Sequence, residues 1–403
     1  MKTHLLTLIL IIMATLGFGF SKPAAQDASY DQLWKQVREA ESKDHPKTVV
    51  EICDKILAKA RSEGNKGQLL KAYFYRVDNK MRITPDTLYA NIAELEKMAA
   101  EEKDPATKMV LHSCLGTIYA NYASSNAWEL ARRTNIDGGE DVSDIEQWGS
   151  VKITQTILYN VNESLSNIEI LRKTGNKAFV PFVNQQEDSK YYNHDLLHII
   201  AKRAVNSLAS AEMVAKDKKA IRQRIQQVWE DAIRNYRDAS KTEAYILMSL
   251  DYIDYRNLAG KAHIQALEEL MDEKVKANPL CAEILIELAR IHAPNNPVKA
   301  MELCDLGKAS YSSYKRTGLL DELKQKLLLP KASVNLPSYA YTGDKKEIIL
   351  THKNLDKVTI ILYKIPESIQ KIIREKGIYK LEKSDLKKCQ QYSVQSFAVA
   401  RPA

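Results

Sequence analysis

The chain has 403 residues, with 59 Lys and Arg against 51 Asp and Glu, for a formal charge of +8. Hydrophobic residues at 45% and charged residues at 27% make an ordinary globular composition and exclude a disordered or collagen-like chain. With 14 Gly and 12 Pro, Gly falls well below its usual ~7% share, which excludes a turn-rich all-β chain and leaves long helices as the expectation.

Residues 1–21 carry the pattern of a secretory signal. Lys2 supplies a short basic start, and Leu5 to Phe20 is apolar apart from Thr7 and Thr15. Gly19-Phe20-Ser21 offers small residues for cleavage, with Pro23-Ala24-Ala25 as a second candidate. A retained anchor needs a span of about 20 apolar residues, and no Cys follows the run to carry a lipid. The expectation is an exported chain without a transmembrane anchor: periplasmic, cell-surface associated or extracellular.

From residue 22 to 330 the pattern is a run of amphipathic helices. Tyr30, Leu33, Trp34 and Val37 recur at i, i+3, i+4 and i+7, one buried stripe. Asp44-His45-Pro46 breaks it, and Val49, Ile52, Cys53, Ile56 and Leu57 form a second stripe that stops at Glu63-Gly64-Asn65. Leu69, Leu70, Ala72, Tyr73 and Tyr75 belong to a third. Thr84-Pro85 and Asp104-Pro105 each read as an N-cap followed by Pro at the first helical position. After a polar loop at 135–141, Asp144, Ile145 and Trp148 open one long helical pattern toward Leu171. Residues 173–192 are irregular, and further helices are expected near 194–214, 217–239, 241–257, 260–277, 279–293, 297–313 and 317–328.

Helix pairs spaced by 30–40 residues predict a tetratricopeptide-like solenoid of helical hairpins. Leu285, Leu288, Ala289 and His292, followed by Ala300, Met301, Cys304 and Gly307, form one degenerate unit, and 46–76 forms another. Past Leu329-Pro330 the period changes. Glu347 to Thr351 and Val358 to Tyr363 read as strands, with Tyr392 to Ala400 as a third and short helices around Ile369–Ile373 and Lys383–Lys388. Such a region, 331–403, is the start of a β domain without its closing partners.

No constellation carries a reaction. His194 and His198 stand at i and i+4, a spacing able to hold zinc, but the metalloprotease pattern needs Glu where Asp195 stands. No phosphate-cradling glycine loop and no G-x-S-x-G occur. Asp144 reads as a helix N-terminal carboxylate, and Glu268, Glu269, Asp272 and Glu273 as a solvated acidic face. Tyr252 with Tyr255, and Tyr311 with Tyr314, are packing residues that could also line a peptide groove. Five cysteines, Cys53, Cys114, Cys281, Cys304 and Cys389, include no C-x-x-C pair, and only Cys281 with Cys304 suggests a bridge. The basic clusters Lys216–Arg224 and Lys371–Lys388 are interleaved with acids, so nucleic acid is not expected as a partner. The chain is read as a non-enzyme, with no catalytic, cofactor-binding or metal-ligating residue assigned and no cofactor.

Three stretches resemble the secreted alpha-2-macroglobulin family proteins of Bacteroidetes-type bacteria. The first is Tyr30-Asp31-Gln32-Leu33-Trp34-Lys35 with Pro46-Lys47-Thr48, Asp54-Lys55-Ile56, Asn65, Gln68-Leu69, Lys71-Ala72 and Tyr75-Arg76. The second is Ser143-Asp144-Ile145-Glu146-Gln147-Trp148, and the third is His352 to Val358 with Ile360 to Ile365. The resemblance implies a helical region ahead of the first macroglobulin-type β-sandwich, here incomplete, in an endopeptidase inhibitor that entraps proteases after bait cleavage. No Cys is followed by Gly-Glu-Gln, so the family's thioester is not carried over, and the bait region lies beyond the chain. The implied molecule is an N-terminal piece whose helical stack docks or spaces, with proteases as partners only in a full-length form. The alternative is a stand-alone exported adaptor that holds a protein or peptide in its helical groove. The period change near Pro330 predicts that limited proteolysis releases a stable fragment of about 30–329; preferred cutting in mid-stack, with none near 330, would count against that boundary.

Overall fold

The structure, a computed structural model, describes residues 28–84, 88–133, 145–183, 195–335 and 349–399. The chain is mainly helical, with a few short antiparallel strands toward its C-terminus. The expected signal at 1–21, Pro85, Asp144 and His194 lie outside the described residues. Contacts divide the chain into two compact units, 1–281 and 282–403.

The first unit begins with α1 (Ala28–Ser42), α2 (Pro46–Glu63) and α3 (Lys66–Ile83), followed by α4 (Leu88–Glu101), α5 (Pro105–Ser125) and α6 (Ala127–Arg132). Their boundaries follow from capping chemistry. Gly64 ends α2 in the left-handed conformation at φ 65°, and Asn65 then caps α3 by accepting from the Gln68 amide. Asp104 does the same for α5, accepting from Thr107 N at 2.9 Å with Pro105 at the first helical position, as expected. The stripes largely bury as expected: Tyr30, Trp34, Val37, Val49, Ile52, Cys53, Ile56 and Leu57 are in the core, and Leu33 of the first stripe packs against it partly buried.

The long helix expected from Asp144 to Leu171 is broken. A 3₁₀ turn at Ile145–Gln147 precedes α7 (Ser150–Ser164) and α8 (Ile168–Lys173). Gly149 stays extended before α7, and the Asn167 side chain accepts from Ile170 N at 3.0 Å, capping a new helix where a continuous one would have run. A 3₁₀ turn at Asn176–Phe179 leads toward α9 (Leu196–Val214), α10 (Lys218–Asp238), α11 (Thr242–Tyr255), α12 (Gly260–Leu270) and α13 (Glu273–Lys276). The helix expected over 260–277 is thus split, because Asp272 caps α13 by accepting from Val275 N at 2.8 Å.

Helices pack mostly on their chain neighbours, α1 on α2, α2 on α3, α9 on α10 and α10 on α11. Some packing is non-sequential: α5 packs against both α7 and α9, and α7 packs against α9. A single core, from Tyr30 to Met248, runs through these layers. No helix among the described residues is long and apolar enough to cross a membrane.

The second unit holds α14 (Cys281–His292, from Ala282 on), α15 (Pro297–Ser310) and α16 (Gly318–Leu328), then β1 (Lys331–Asn335), β2 (Ile349–Lys353), β3 (Lys357–Lys364), α17 (Glu367–Lys376), α18 (Lys383–Leu386) and β4 (Gln390–Ala398). The strands make two separate antiparallel pairs, β1 with β2 and β3 with β4. Strand β1 was not expected, because Lys331-Ala332-Ser333-Val334-Asn335 has no apolar run of its own and is a strand by virtue of its partner. Asn354, in the turn between β2 and β3, donates to Leu327 O at 2.7 Å, satisfying a terminal carbonyl of α16.

One glycine marks a close approach. A Cβ on Gly67 would lie 2.0 Å from the Val180 carbonyl oxygen, whereas one on Gly64 would meet nothing within 4 Å. Gly67→Ala is expected to cost about 3 kcal/mol by overpacking against backbone, and Gly64→Ala about 1 kcal/mol through its positive φ alone. Urea denaturation of both variants checks the order; equal midpoints would show that the segment at Val180 moves aside freely.

Candidate functional site

Two polar features of the first unit share the helices α9 to α12. The first is a buried network at the start of α9. Asp195, 4% exposed, caps the helix, its Oδ1 accepting from Leu197 N at 3.1 Å and from the Tyr236 hydroxyl of α10 at 2.6 Å. One turn on, His198 Nε2 meets Asp251 Oδ2 of α11 at 2.7 Å, and Lys202 Nζ reaches the same oxygen at 2.9 Å. Burial pushes the Asp251 carboxyl up, but the hydrogen bond and charge of His198 and the charge of Lys202 outweigh it and hold it below its ordinary value. Burial and the neighbouring Asp195 push the Tyr236 phenol well up.

The helix begins at Leu196, so Asp195 is its N-cap, and His198 faces Asp251. Among the described residues, no group of three or more His, Cys, Asp or Glu is placed to hold a metal ion.

The second feature is a cleft of about 380 Å³ between α10, α11 and α12. Arg234 and Arg237 of α10, Arg256 just past α11, and Tyr245, Ser249 and Tyr252 of α11 line it, with Glu230 and Glu269 among the other lining residues. Tyr252 is stacked on the buried Trp229, with ring centroids 5.7 Å apart, and the Arg256 guanidinium lies 5.8 Å from the Tyr252 ring centre. Both cleft acids are engaged by amides of their own helices. Gln226 donates to Glu230 at 2.7 Å and Gln265 to Glu269 at 2.8 Å. Burial, and then the charge of Asp272, push the Tyr245 phenol up, while the Arg237 side chain and the Ser249 hydroxyl act in the opposite sense.

The sequence-level candidates separate accordingly. Tyr252 lines the cleft, and Tyr255 tilts against Trp229 at 5.8 Å. Tyr314 is buried in the second unit, where its hydroxyl donates to Glu283 at 2.6 Å, and Tyr311 closes α15. Of the expected acidic face, Glu269 lines the cleft and Asp272 is a cap. Cys53, Cys114, Cys304 and Cys389 are free buried thiols, so Cys281 and Cys304 are not bridged. In the basic cluster 216–224, Asp217 caps α10, Arg222 pairs with Glu212 at 2.6 Å and Arg224 donates to Asn162 at 3.0 Å. Arg234, Arg237 and Arg256 drew no attention in the sequence. Arg234 and Arg237 lie at i, i+3 on one helical face, but nothing in the order of residues says what faces them.

The first resembling stretch forms one packed seam. Trp34 Nε1 donates to Gln68 Oε1 at 2.6 Å, the Tyr75 ring meets Trp34 edge-on at 5.0 Å, and Lys71 Nζ sits 4.3 Å from the Trp34 ring centre. Burial and the charge of Arg38 pull the Lys71 ammonium down to about 8. Arg76 pairs with Asp54 at 3.2 Å and also with Glu94, tying α2, α3 and α4 together.

Comparison of the chain with protein-family models, with curated proteins and with solved structures gave no match in any of the three.

Truncating Asp251 leaves His198 and Lys202 without their shared acceptor. Asp251→Ala is expected to cost about 3 kcal/mol. Because the folded carboxyl titrates below its ordinary 3.8, its stabilisation is full above that value and is lost as pH falls through the lower folded value. Urea titrations between about pH 3 and 6 check this: the gap between wild type and variant should narrow toward acid, and a constant gap would refute the linkage.

Proposed function

We propose that this chain is a non-catalytic protein-docking module: the N-terminal part of an exported inhibitor of the alpha-2-macroglobulin kind. In this reading a tetratricopeptide-like helical stack docks or spaces the inhibitor, and the strands after residue 330 begin a macroglobulin-type sandwich. The stacking of successive amphipathic helices around one apolar core supports a scaffold role.

The observation that carries the reading is the exposure of apolar side chains on both faces of the β3–β4 pair. Ile361 and Val394 are opposite each other on one face, and Leu362 and Phe397 lie on the other, all exposed. A two-stranded sheet is marginal in water by itself, and an apolar strand face is a surface to be covered by further β structure. Protease capture is not assigned to any residue here, since no Cys-Gly-Glu-Gln occurs.

A second reading, a stand-alone exported adaptor, is favoured by the arginine-lined cleft. The coding sequence downstream of residue 403 separates the two. Continuation into further sandwich repeats, with a full-length product that slows a protease where residues 1–403 alone do not, is the expected result. A reading frame that closes at once would sink the inhibitor reading and leave the adaptor.

A further inference from the structure

We propose that the cleft between α10, α11 and α12 binds an extended acidic polypeptide segment, whose carboxylates are taken by Arg237 and Arg256, with Arg234 at the rim. The inference rests on the docking-module reading and names the chemistry of what is docked.

Charge is the first argument. Arg82, Arg133, Arg222 and Arg290 each pair with a carboxylate. Among the described residues, by contrast, no carboxylate comes within ion-pair distance of Arg237 or Arg256, and Arg234 has only Asp231 at 3.6 Å. The cleft's own acids, Glu230 and Glu269, accept from Gln226 and Gln265 and make no ion pair with these arginines, and three lining arginines against two glutamates leave the cleft net positive. Arg237 and Arg256 therefore line one concavity without a carboxylate partner, Arg237 being hydrogen-bonded to the Tyr245 side chain and Arg256 lying against the Tyr252 ring.

Shape is the second. Tyr252, backed by the buried Trp229 and with the Arg256 guanidinium 5.8 Å from its ring centre, lines one side of the cleft, and the mutually hydrogen-bonded Tyr245 and Ser249 line it as well. A volume of about 380 Å³ lies in the range of ligand-sized pockets, and the exposed arginines leave its sides open to a chain running through. The two glutamates decide the class of anion. They repel a compact dianion such as phosphate, whereas a segment with spaced single carboxylates places its charges at the arginines and its amides beside Glu230 and Glu269.

Fluorescence anisotropy on the full chain tests this, with a labelled decapeptide of alternating Glu and Ala as probe and the Gln-Ala peptide as its neutral counterpart. The Glu peptide should bind about tenfold tighter than the Gln peptide and weaken with added salt. Arg237→Gln with Arg256→Gln should lose that tenfold at an unchanged melting temperature, and either single variant should lose part of it. Arg290→Gln, remote in sequence and already paired, should bind as wild type. Equal binding of both peptides, no saturable binding, full affinity in the double variant, or displacement by inorganic phosphate at lower concentration than by the Glu peptide would each overturn the proposal. The downstream coding sequence reads the inhibitor reading without reference to the cleft, so the two fail separately.

Discussion

The geometry around the cleft depends on one buried carboxylate. Asp195 is almost without solvent, and such a group is stable only when its oxygens are occupied. It takes amides from the first turn of α9 and the Tyr236 hydroxyl from α10, so a single side chain starts one helix and pins the next to it. One turn later His198 and Lys202 converge on Asp251, which adds α11 to the same set. Because hydrogen bonds are directional where apolar contact is not, this network specifies the register of three helices that hydrophobic burial alone would leave adjustable. The cleft, bounded by α10, α11 and α12, inherits its spacing from that register.

A comparable division of labour holds at the start of the chain. Apolar stripes bring α1, α2 and α3 together, while Trp34 with Gln68, and Arg76 with Asp54 and Glu94, fix how they meet. Trp34, Gln68, Asp54 and Arg76 are packing residues here, and their interactions fix how the three helices meet. The second unit differs. Its helices bury apolar residues such as Leu285, Leu288 and Leu320, but its strands leave Val334, Ile349, Ile361, Leu362, Val394 and Phe397 exposed.

Helices with a clean stripe and a distinct cap were legible from residue order: α2 between Pro46 and Gly64, α5 after Asp104-Pro105, α15 after Asn296-Pro297. The failures came where a single polar side chain overrode the stripe. Asn167 and Asp272 each began a new helix inside an apolar pattern that continued through them, and periodicity does not register a cap that competes with the backbone. Strand β1 was missed for the opposite reason, since its residues carry no pattern until β2 supplies the partners.

By itself the sequence determined the alternation of amphipathic helices, the change of period after Pro330 and the lack of any familiar catalytic motif, because each of these is local and written in spacing. Only the tertiary structure decided that His198 belongs to Asp251, that Tyr236 answers Asp195, and that Arg237 and Arg256 share a cleft with Tyr252. Those pairings join residues tens of positions apart, and which helical faces meet is set by packing among many layers at once, a quantity that no short window of residues contains.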